Sequence, residues 1–206
     1  MKKSLILLAG FPGTGKSYLA NLIIEKFSSI KLLSPDSIKE KNWDLYGFNN
    51  LNEKEELIQR SWKEYYQEME EEFRQGKSVL SDYPFSEKQR DKLDQLTRKF
   101  NYQVITIRLI ADLDVLFARQ KKRDLDDTRH LGHILTSYHK NDSIISRENA
   151  DNLLDYKEFI SRCTTRGYDK FSLGTLYKLD VTDFSKVNYN LLLLNLEKQL
   201  LGKEKT

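Results

Sequence analysis

The fold of this chain is decided by the stretch Ser4-Leu5-Ile6-Leu7-Leu8-Ala9-Gly10-Phe11-Pro12-Gly13-Thr14-Gly15-Lys16-Ser17. Its first six residues form a short apolar run that is typical of a buried strand. The next eight residues read G-x-x-x-x-G-K-S, which is the pattern of a phosphate-binding loop. Glycines let the backbone curl around a polyphosphate with its N–H groups pointing inward, which a Cβ atom would obstruct. The stretch therefore predicts a strand, a nucleotide-binding loop and an amphipathic helix over residues 17–27.

Each residue type in this loop has a chemical reason to be there. Lys16 offers a positive charge to the β and γ phosphate oxygens, and Ser17 offers a hydroxyl to Mg²⁺. The helix that follows presents its unpaired N–H groups and the positive end of its dipole to the anion. A glycine-rich turn that binds nothing is the alternative. We predict that the nucleotide is bound by Gly10, Gly13, Thr14, Gly15, Lys16 and Ser17.

Composition limits the classes of protein to which the chain can belong. Its 206 residues, 39% hydrophobic and 32% charged, are enough for one compact α/β domain with a substantial core. The apolar run at the start is too short for a signal peptide and no segment could cross a bilayer, so we expect a cytoplasmic protein. The net charge of +3 argues neither for nor against a nucleic-acid partner. The lone Cys163 excludes an internal disulfide and a multi-cysteine zinc site.

Strand and helix signals alternate along the rest of the chain. Such alternation predicts a parallel sheet with helices on both faces, in which ligands gather at the carboxyl ends of the strands. The predicted strands are 30–33, 78–82, 102–110 and a segment within 173–181. One further helix is predicted to begin near Asp36 and another at Asp112. Three more are predicted over residues 52–74, 86–100 and 187–201. Residues 43–50 are predicted to form a loop, and residues 135–163 carry mixed helical signals.

Two aspartates are predicted at the carboxyl ends of strands, close to the phosphate-binding loop. Asp82 follows the third strand and is placed to hold Mg²⁺, unless it merely caps the next turn. Asp36 follows the second strand, and in a kinase it would accept the proton of the substrate hydroxyl. A compatible alternative is that Asp36 caps the helix that begins there. Lys39, one turn further on, could attract a phosphate or carboxylate of the acceptor, although such a lysine is more often solvated.

Basic residues after the fourth strand predict a lid at about residues 119–135. Arg119 and Arg123 are four residues apart and therefore share one helix face, which suits a clamp that closes over phosphates. A mixed-charge, solvated helix end is the alternative. His130 and His133 have no third metal ligand nearby in the sequence, so contacts between lid and substrate are the better interpretation of this pair.

On these motifs the chain resembles the small P-loop kinases, a group that includes 5′-polynucleotide kinase domains, zeta-toxin-like kinases and chloramphenicol phosphotransferase. The stretches that carry the resemblance are the strand-loop-helix start, LSPDSIK at 33–39, LSDYPF at 80–85, the arginines at 119–123 and RHLGH at 129–133. The resemblance covers roughly residues 1–135. It implies a three-layer P-loop NTPase fold with sheet order 2-3-1-4-5, ATP with Mg²⁺, an aspartate base at Asp36 and lid arginines at Arg119 and Arg123.

One departure from that group bears on the substrate. The polynucleotide kinase has an arginine three residues after its base, whereas this chain has Lys39, which cannot grip a phosphate through two parallel hydrogen bonds. We therefore predict that residues 1–206 form a single kinase domain that transfers the γ-phosphoryl group of ATP to a hydroxyl of a small molecule. A 5′-hydroxyl nucleic-acid kinase and a non-kinase NTP-binding regulatory protein are the alternatives.

Other classes of NTPase are disfavoured by what the sequence lacks. It has neither the Asn-Lys-x-Asp pattern of GTPases nor the Leu-Ser-Gly-Gly pattern of transporter ATPases. Tyr83 stands where motor ATPases often carry a glutamate that activates water. The acceptor pocket is expected within residues 37–70 and 135–170. These stretches contain no motif that identifies the acceptor or an oligomeric state.

Overall fold

Five parallel strands form the sheet in the computed structural model, which describes residues 1–202. They are β1 (Ser4–Gly10), β2 (Lys31–Leu32), β3 (Val79–Asp82), β4 (Gln103–Ile110) and β5 (Thr175–Asp180). Their order across the sheet is β2-β3-β1-β4-β5, which confirms the predicted fold class and strand order. All seven residues of β1 are buried, because β1 pairs with β3 on one side and β4 on the other. The phosphate-binding loop thus leaves the sheet at its centre.

Seven α-helices surround this sheet in the described part of the chain. They are α1 (Lys16–Lys26), α2 (Pro35–Tyr46), α3 (Leu51–Arg74), α4 (Glu87–Phe100), α5 (Leu113–Asp124), α6 (Tyr156–Thr165) and α7 (Tyr189–Leu201). Short 3-10 turns occur at Leu131–His133, Arg147–Asn149 and Phe184–Lys186. None of these helices is long and apolar enough to cross a membrane.

Two apolar cores lie on opposite faces of the sheet. Alternate residues of β1 serve each of them, as the two-residue period of a strand requires. Ile6 and Leu8 belong to the core formed with α1 and α7, whereas Leu5 and Leu7 belong to the core formed with α3 and α4. Each such buried side chain stabilises the fold by about 1.5–3 kcal/mol. The cores therefore fix the strand ends that position the site.

Helix α2 is longer than the sequence predicts. It begins at Pro35 and continues to Tyr46, so the first four residues of the predicted loop at 43–50 are helical. Trp43 explains the extension, because its indole is buried and packs against Phe48 at a centroid distance of 6.1 Å. Gly47, with φ of 64°, then ends the helix.

The start of α3 also differs from the prediction. Asn50, rather than Asn52, is the capping residue, and its side chain accepts a hydrogen bond from the backbone N–H of Glu53 at 3.0 Å. The Glu53 carboxylate in turn accepts from the backbone N–H of Asn49 at 2.8 Å. The capping signal was therefore present in the sequence, two residues earlier than predicted.

The segment between α5 and α6 is mostly irregular. The predicted lid at about 119–135 comprises the last turns of α5, an irregular stretch and the turn Leu131–His133, so it is helical only in part. Beyond it, an antiparallel bridge between Phe48 and Tyr138 ties the chain to the connection between α2 and α3. The segment is thereby held against α2.

Candidate active site

The loop between β1 and α1 has a conformation that only glycine adopts easily. Gly10, Gly13 and Gly15 have φ angles of 113°, 81° and 78°. A Cβ atom on Gly10 would lie 2.0 Å from the carbonyl oxygen of Leu109, and one on Gly13 would lie 2.9 Å from that of Leu116. Glycine is therefore required both by the backbone and by the closeness of β4 and α5. The result is the tight curl that a polyphosphate needs.

Lys16 is folded back over this loop. Its Nζ donates to the carbonyl oxygen of Phe11 at 2.7 Å and lies 3.3 Å from both Gly10 O and Thr14 Oγ1. Burial, together with the charge of Arg123, lowers the pKa of Lys16 to about 8. A phosphate beside this amine would supply negative charge and favour its protonated form. The residues present thus fit a bound polyphosphate.

Ser17 and Asp82, the predicted Mg²⁺ ligands, are in direct contact. The Ser17 hydroxyl donates to Asp82 Oδ2 at 2.9 Å. The other carboxylate oxygen, Oδ1, is buried and has no hydrogen-bond partner among residues 1–202. Burial raises the pKa of Asp82, so that a nearby cation would stabilise its charge. A buried, unpartnered carboxylate oxygen beside a hydroxyl fits Mg²⁺, which prefers oxygen ligands and keeps several waters.

Asp36 occupies the second position of α2 rather than its cap. The N-cap residue is Ser34, so the interpretation of Asp36 as a helix cap is wrong. Oδ1 of Asp36 accepts a hydrogen bond from Nζ of Lys39 at 3.0 Å. Burial opposes ionisation of Asp36, but the charges of Lys39, His133 and Arg129 outweigh it and hold its pKa well below the ordinary value. Asp36 is therefore ionised at neutral pH, as a proton acceptor must be.

Lys39 is buried, which contradicts the expectation that it is solvated. Besides its bond to Asp36, its Nζ donates to the Tyr83 hydroxyl at 3.0 Å and lies 4.2 Å from the centroid of that ring. Burial disfavours the charged amine, but the Asp36 carboxylate outweighs it and raises the pKa of Lys39. Asp36 and Lys39 are thus a fixed ion pair on one turn of α2.

The two arginines of α5 have different surroundings. Arg119 donates to the carbonyl oxygens of Val181 at 2.8 Å and Thr182 at 2.9 Å, and its guanidinium lies 3.8 Å from the Phe184 ring centroid. Arg123 is exposed, and no hydrogen bond from its side chain occurs within residues 1–202. Its side chain lines the same cavity as Lys16 and Ser17. Only Arg119 is therefore anchored to the segment after β5.

The second half of the predicted lid packs on α2 through two histidine–carboxylate pairs. His133 Nε2 lies 2.7 Å from Glu40 Oε1, and His130 Nε2 lies 3.0 Å from Asp44 Oδ1. The Trp43 ring lies 4.9 Å from the His133 ring and 5.8 Å from the His130 ring, measured between centroids. Burial lowers the pKa of His133 despite the hydrogen bond to Glu40. The histidines bind the lid to the helix that carries Asp36.

One cavity of about 460 Å³ joins these groups. The predicted site residues that line it are Gly13, Gly15, Lys16, Ser17, Asp36, Asp82, Arg119 and Arg123. Gly10 and Thr14 do not line it. Thr14 is buried, and its hydroxyl donates to the carbonyl oxygen of Phe11 at 2.8 Å, so that it braces the loop from within.

Helix α6 forms a wall of this cavity, within the range 135–170 where the acceptor pocket is expected, although the helix itself was not predicted. Arg162, Cys163 and Arg166, on α6 and at its end, line the cavity. Burial raises the pKa of the Cys163 thiol to about 11, which makes it a poor nucleophile. A local signal for α6 was present, because Asp155 accepts a hydrogen bond from the backbone N–H of Glu158 at 2.7 Å. An aspartate followed three residues later by a glutamate is a typical helix start.

Comparison with known sequences and structures is consistent with this architecture. The sequence family AAA_33, described as AAA domain, matches residues 5–137. A search of curated proteins found no match. A solved structure of a candidate kinase from Chloroflexus aurantiacus j-10-fl superposes with a TM-score of 0.75 at 18% identity, covering 98% of each chain.

Two further solved structures have the same fold at lower similarity. A gluconokinase from Sinorhizobium meliloti 1021 has a TM-score of 0.55 at 14% identity, covering 98% of each chain. A sugar kinase from Janibacter sp. HTCC2649 has a TM-score of 0.53 at 12% identity, covering 98% of this chain and 95% of its own. At such identities the likeness shows the fold alone, and the narrower subgroup of P-loop kinases stays a prediction.

Proposed function

The chain belongs to the AAA domain family, and from this premise we propose that it is a kinase that transfers the γ-phosphoryl group of ATP to a hydroxyl of a small molecule. The observation that carries the proposal is the position of the ionised Asp36 carboxylate. It lines the same cavity as Lys16 of the phosphate-binding loop and the Ser17–Asp82 pair. A proton acceptor, a polyphosphate cradle and a magnesium pair on one cavity are the parts that phosphoryl transfer requires.

We assign the binding roles to the residues that the motif predicted. The triphosphate would be held by Gly13, Gly15, Lys16 and Ser17, together with Arg119 of α5, while Gly10 and Thr14 shape the loop from behind. Ser17 and Asp82 would hold Mg²⁺, which when bound neutralises charge on the β and γ phosphates. Phe184 lies under Arg119 and close to Gly15, so this end of the cavity suits the nucleoside.

The proposed step moves a phosphoryl group between two oxygens. The acceptor oxygen forms a bond to the γ phosphorus while the bond to the bridging β–γ oxygen breaks, which releases ADP. Asp36 takes the proton of the acceptor hydroxyl, and Lys16 and Arg123 stabilise charge on the transferring group. The pKa of Asp36 is held low, so its carboxylate is a weak base. It would take the proton late in the transfer, when the bond to the leaving oxygen is already largely broken, as in a loose transition state.

The size of the cavity favours a small acceptor over nucleic acid. Its volume of about 460 Å³ lies in the range of small-molecule sites. Its walls come from the phosphate-binding loop, α2, α6 and the predicted lid, so that nucleotide and acceptor would share it. We propose that residues 1–206 form one kinase domain and that residues 119–135 act as its lid, because Arg119, Arg123, Arg129 and His133 of this segment line the cavity.

The proposal is tested by acceptor-dependent formation of ADP. The purified protein is incubated with ATP and Mg²⁺ and with polyols, sugar acids, sugar phosphates, amino alcohols and 5′-hydroxyl oligonucleotides in turn. We expect ADP above the acceptor-free rate with at least one small molecule, and loss of that increment in Asp36→Asn. Turnover with oligonucleotides alone would favour the nucleic-acid kinase. Nucleotide binding without any acceptor-dependent ADP would overturn the kinase proposal in favour of a regulatory NTP-binding protein.

A further inference from the structure

We propose that the acceptor carries an anionic group of its own, a carboxylate or a phosphate, and that Arg162 and Arg166 bind this group. The inference rests on the proposed kinase function and narrows its substrate class. It predicts that an alcohol without a negative charge is a poor substrate.

The first argument is the charge of the cavity. Seven lysine and arginine side chains line it, against the three carboxylates of Asp36, Asp82 and Asp124. A triphosphate complexed by a divalent cation keeps about two negative charges. Because Glu158 pairs with Arg162 from outside the lining, roughly one positive charge of the cavity would therefore remain without a counter-charge after the nucleotide has bound. An anionic acceptor would supply that counter-charge, whereas a neutral one would leave like charges facing one another across the cavity.

The second argument is where the surplus cations lie. Arg166 Nη1 donates to the Tyr168 hydroxyl at 3.3 Å. Tyr168 lines the cavity together with Tyr83, whose hydroxyl accepts from Lys39, the partner of Asp36. The Tyr168 ring also packs on Phe11 of the phosphate-binding loop, at 6.4 Å between centroids, so Arg166 lies beside that loop in the cavity that also contains Asp36. Arg119 with Phe184 forms a different part of the wall.

The third argument is that the protein does not neutralise these guanidiniums. Arg166 is exposed and has no carboxylate within ion-pair distance in the described residues. Arg162 pairs only with Glu158, which precedes it by one turn and is half-exposed, so the pair contributes little. Arg129, also in the wall, differs from them, because its buried Nε lies 3.5 Å from Asp124 Oδ1 and its charge is therefore compensated.

Arginine suits this task better than lysine would. Its planar fork donates two parallel hydrogen bonds to a carboxylate or a phosphate, which fixes both the position and the orientation of the ligand. Two such forks at Arg162 and Arg166, one helical turn apart, would hold an acceptor by its charged end and present its hydroxyl to Asp36. The competing interpretation is that these arginines bind the triphosphate itself, and the experiment separates the two.

The test is a binding titration of the protein saturated with Mg²⁺ and a non-hydrolysable ATP analogue. The probes are matched sets of three- to six-carbon polyols, each with its aldonate and its monophosphate, measured by calorimetry. We expect at least one anionic member to bind at least tenfold more tightly than its neutral counterpart. Arg162→Ala and Arg166→Ala should each weaken that binding at least tenfold, while the affinity for the analogue changes less than twofold. Arg98→Ala, which removes an exposed guanidinium outside the cavity, is the matched control.

Several results would overturn the inference. These are equal binding of neutral and anionic members, no binding of any anionic member, or a loss of analogue affinity in the Arg162 and Arg166 variants. Melting curves of the variants verify that they are folded. An anionic alcohol that binds but yields no ADP would contradict the kinase proposal alone. Turnover of neutral alcohols only would contradict the anion site alone.

Discussion

The two walls of the cavity are built in different ways. The proposed nucleotide wall, formed by residues 10–17 and Asp82, comes from one short stretch and the adjacent strand end, and its shape is fixed by backbone conformation. The proposed acceptor wall comprises Asp36, Lys39, Arg129, His133, Arg162 and Arg166. These side chains come from three separate segments and are positioned by ion pairs and hydrogen bonds. The first wall is therefore encoded locally, and the second depends on tertiary packing.

The largest expected effect is on the nucleotide wall. Lys16→Ala should lower kcat/KM by about 10³–10⁵-fold, the range lost when a cation on the transferring phosphate is removed. Steady-state ADP formation with the accepted alcohol measures this. Lys26→Ala is the control, because Lys26 lies at the other end of α1 and pairs with Glu197 of α7 on the protein surface. Undiminished turnover of Lys16→Ala would show that the nucleotide wall takes no part in the reaction.

On the acceptor wall, Asp36→Asn should separate chemistry from nucleotide binding. We expect kcat to fall by about 10²–10⁴-fold, because proton transfer loses its base. The dissociation constant of an ATP analogue should change less than about twofold, because Asp36 belongs to the other wall. Rapid-quench kinetics and calorimetry measure the two quantities, and Asp91→Asn on the exposed face of α4 is the control. Loss of analogue binding instead would make Asp36 a structural or metal-binding residue.

Substitution of the two arginines of α5 should affect different steps, because Arg119 acts in nucleotide binding and Arg123 in phosphoryl transfer. Arg123→Ala should lower kcat by about 10- to 100-fold with little change in analogue affinity, because its exposed guanidinium acts on the charge that develops during transfer. Arg119→Ala should mainly weaken nucleotide binding, since Arg119 is tied to Val181, Thr182 and Phe184. Each variant is the control for the other. An unaffected rate in Arg123→Ala would show that Arg123 is only a solvated surface residue with no part in the reaction.

The smallest expected effect is a change in pH dependence. The Lys39 charge holds the pKa of Asp36 down against burial, so Lys39→Met should raise that pKa. The carboxylate would then be protonated at a higher pH, and the acidic limb of the kcat/KM profile should move upward by at least about one pH unit. The exposed Lys41→Met on the same helix should leave the profile in place. An unshifted profile in Lys39→Met would show that Asp36 does not control the acidic limb.

The sequence predicted the individual strands and the nucleotide wall because both depend on short-range patterns, whereas the strand order was implied by the resemblance to small P-loop kinases. An apolar run followed by three spaced glycines specifies β1 and its loop without reference to the rest of the chain. Helix α2 was predicted too short because the contact of Trp43 with Phe48 overrides a weak local signal. The burial of Lys39 was missed for a similar reason, since Tyr83 approaches it from 44 residues away. Helix α6 was missed because residues 135–163 carry mixed helical signals, although Asp155 and Glu158 form a typical helix start.

The placement of the two tryptophans gives this protein a built-in optical readout. Trp43 lies against His130 and His133, while the Trp62 ring lies 5.0 Å from Tyr83 and 5.7 Å from Lys39 Nζ. The Trp43 indole is buried against both imidazoles, so its emission would change as the histidines move away and water reaches the ring. Trp62 would instead respond to events at Lys39. Trp43→Phe and Trp62→Phe would thus let a stopped-flow fluorimeter time lid opening and acceptor arrival separately.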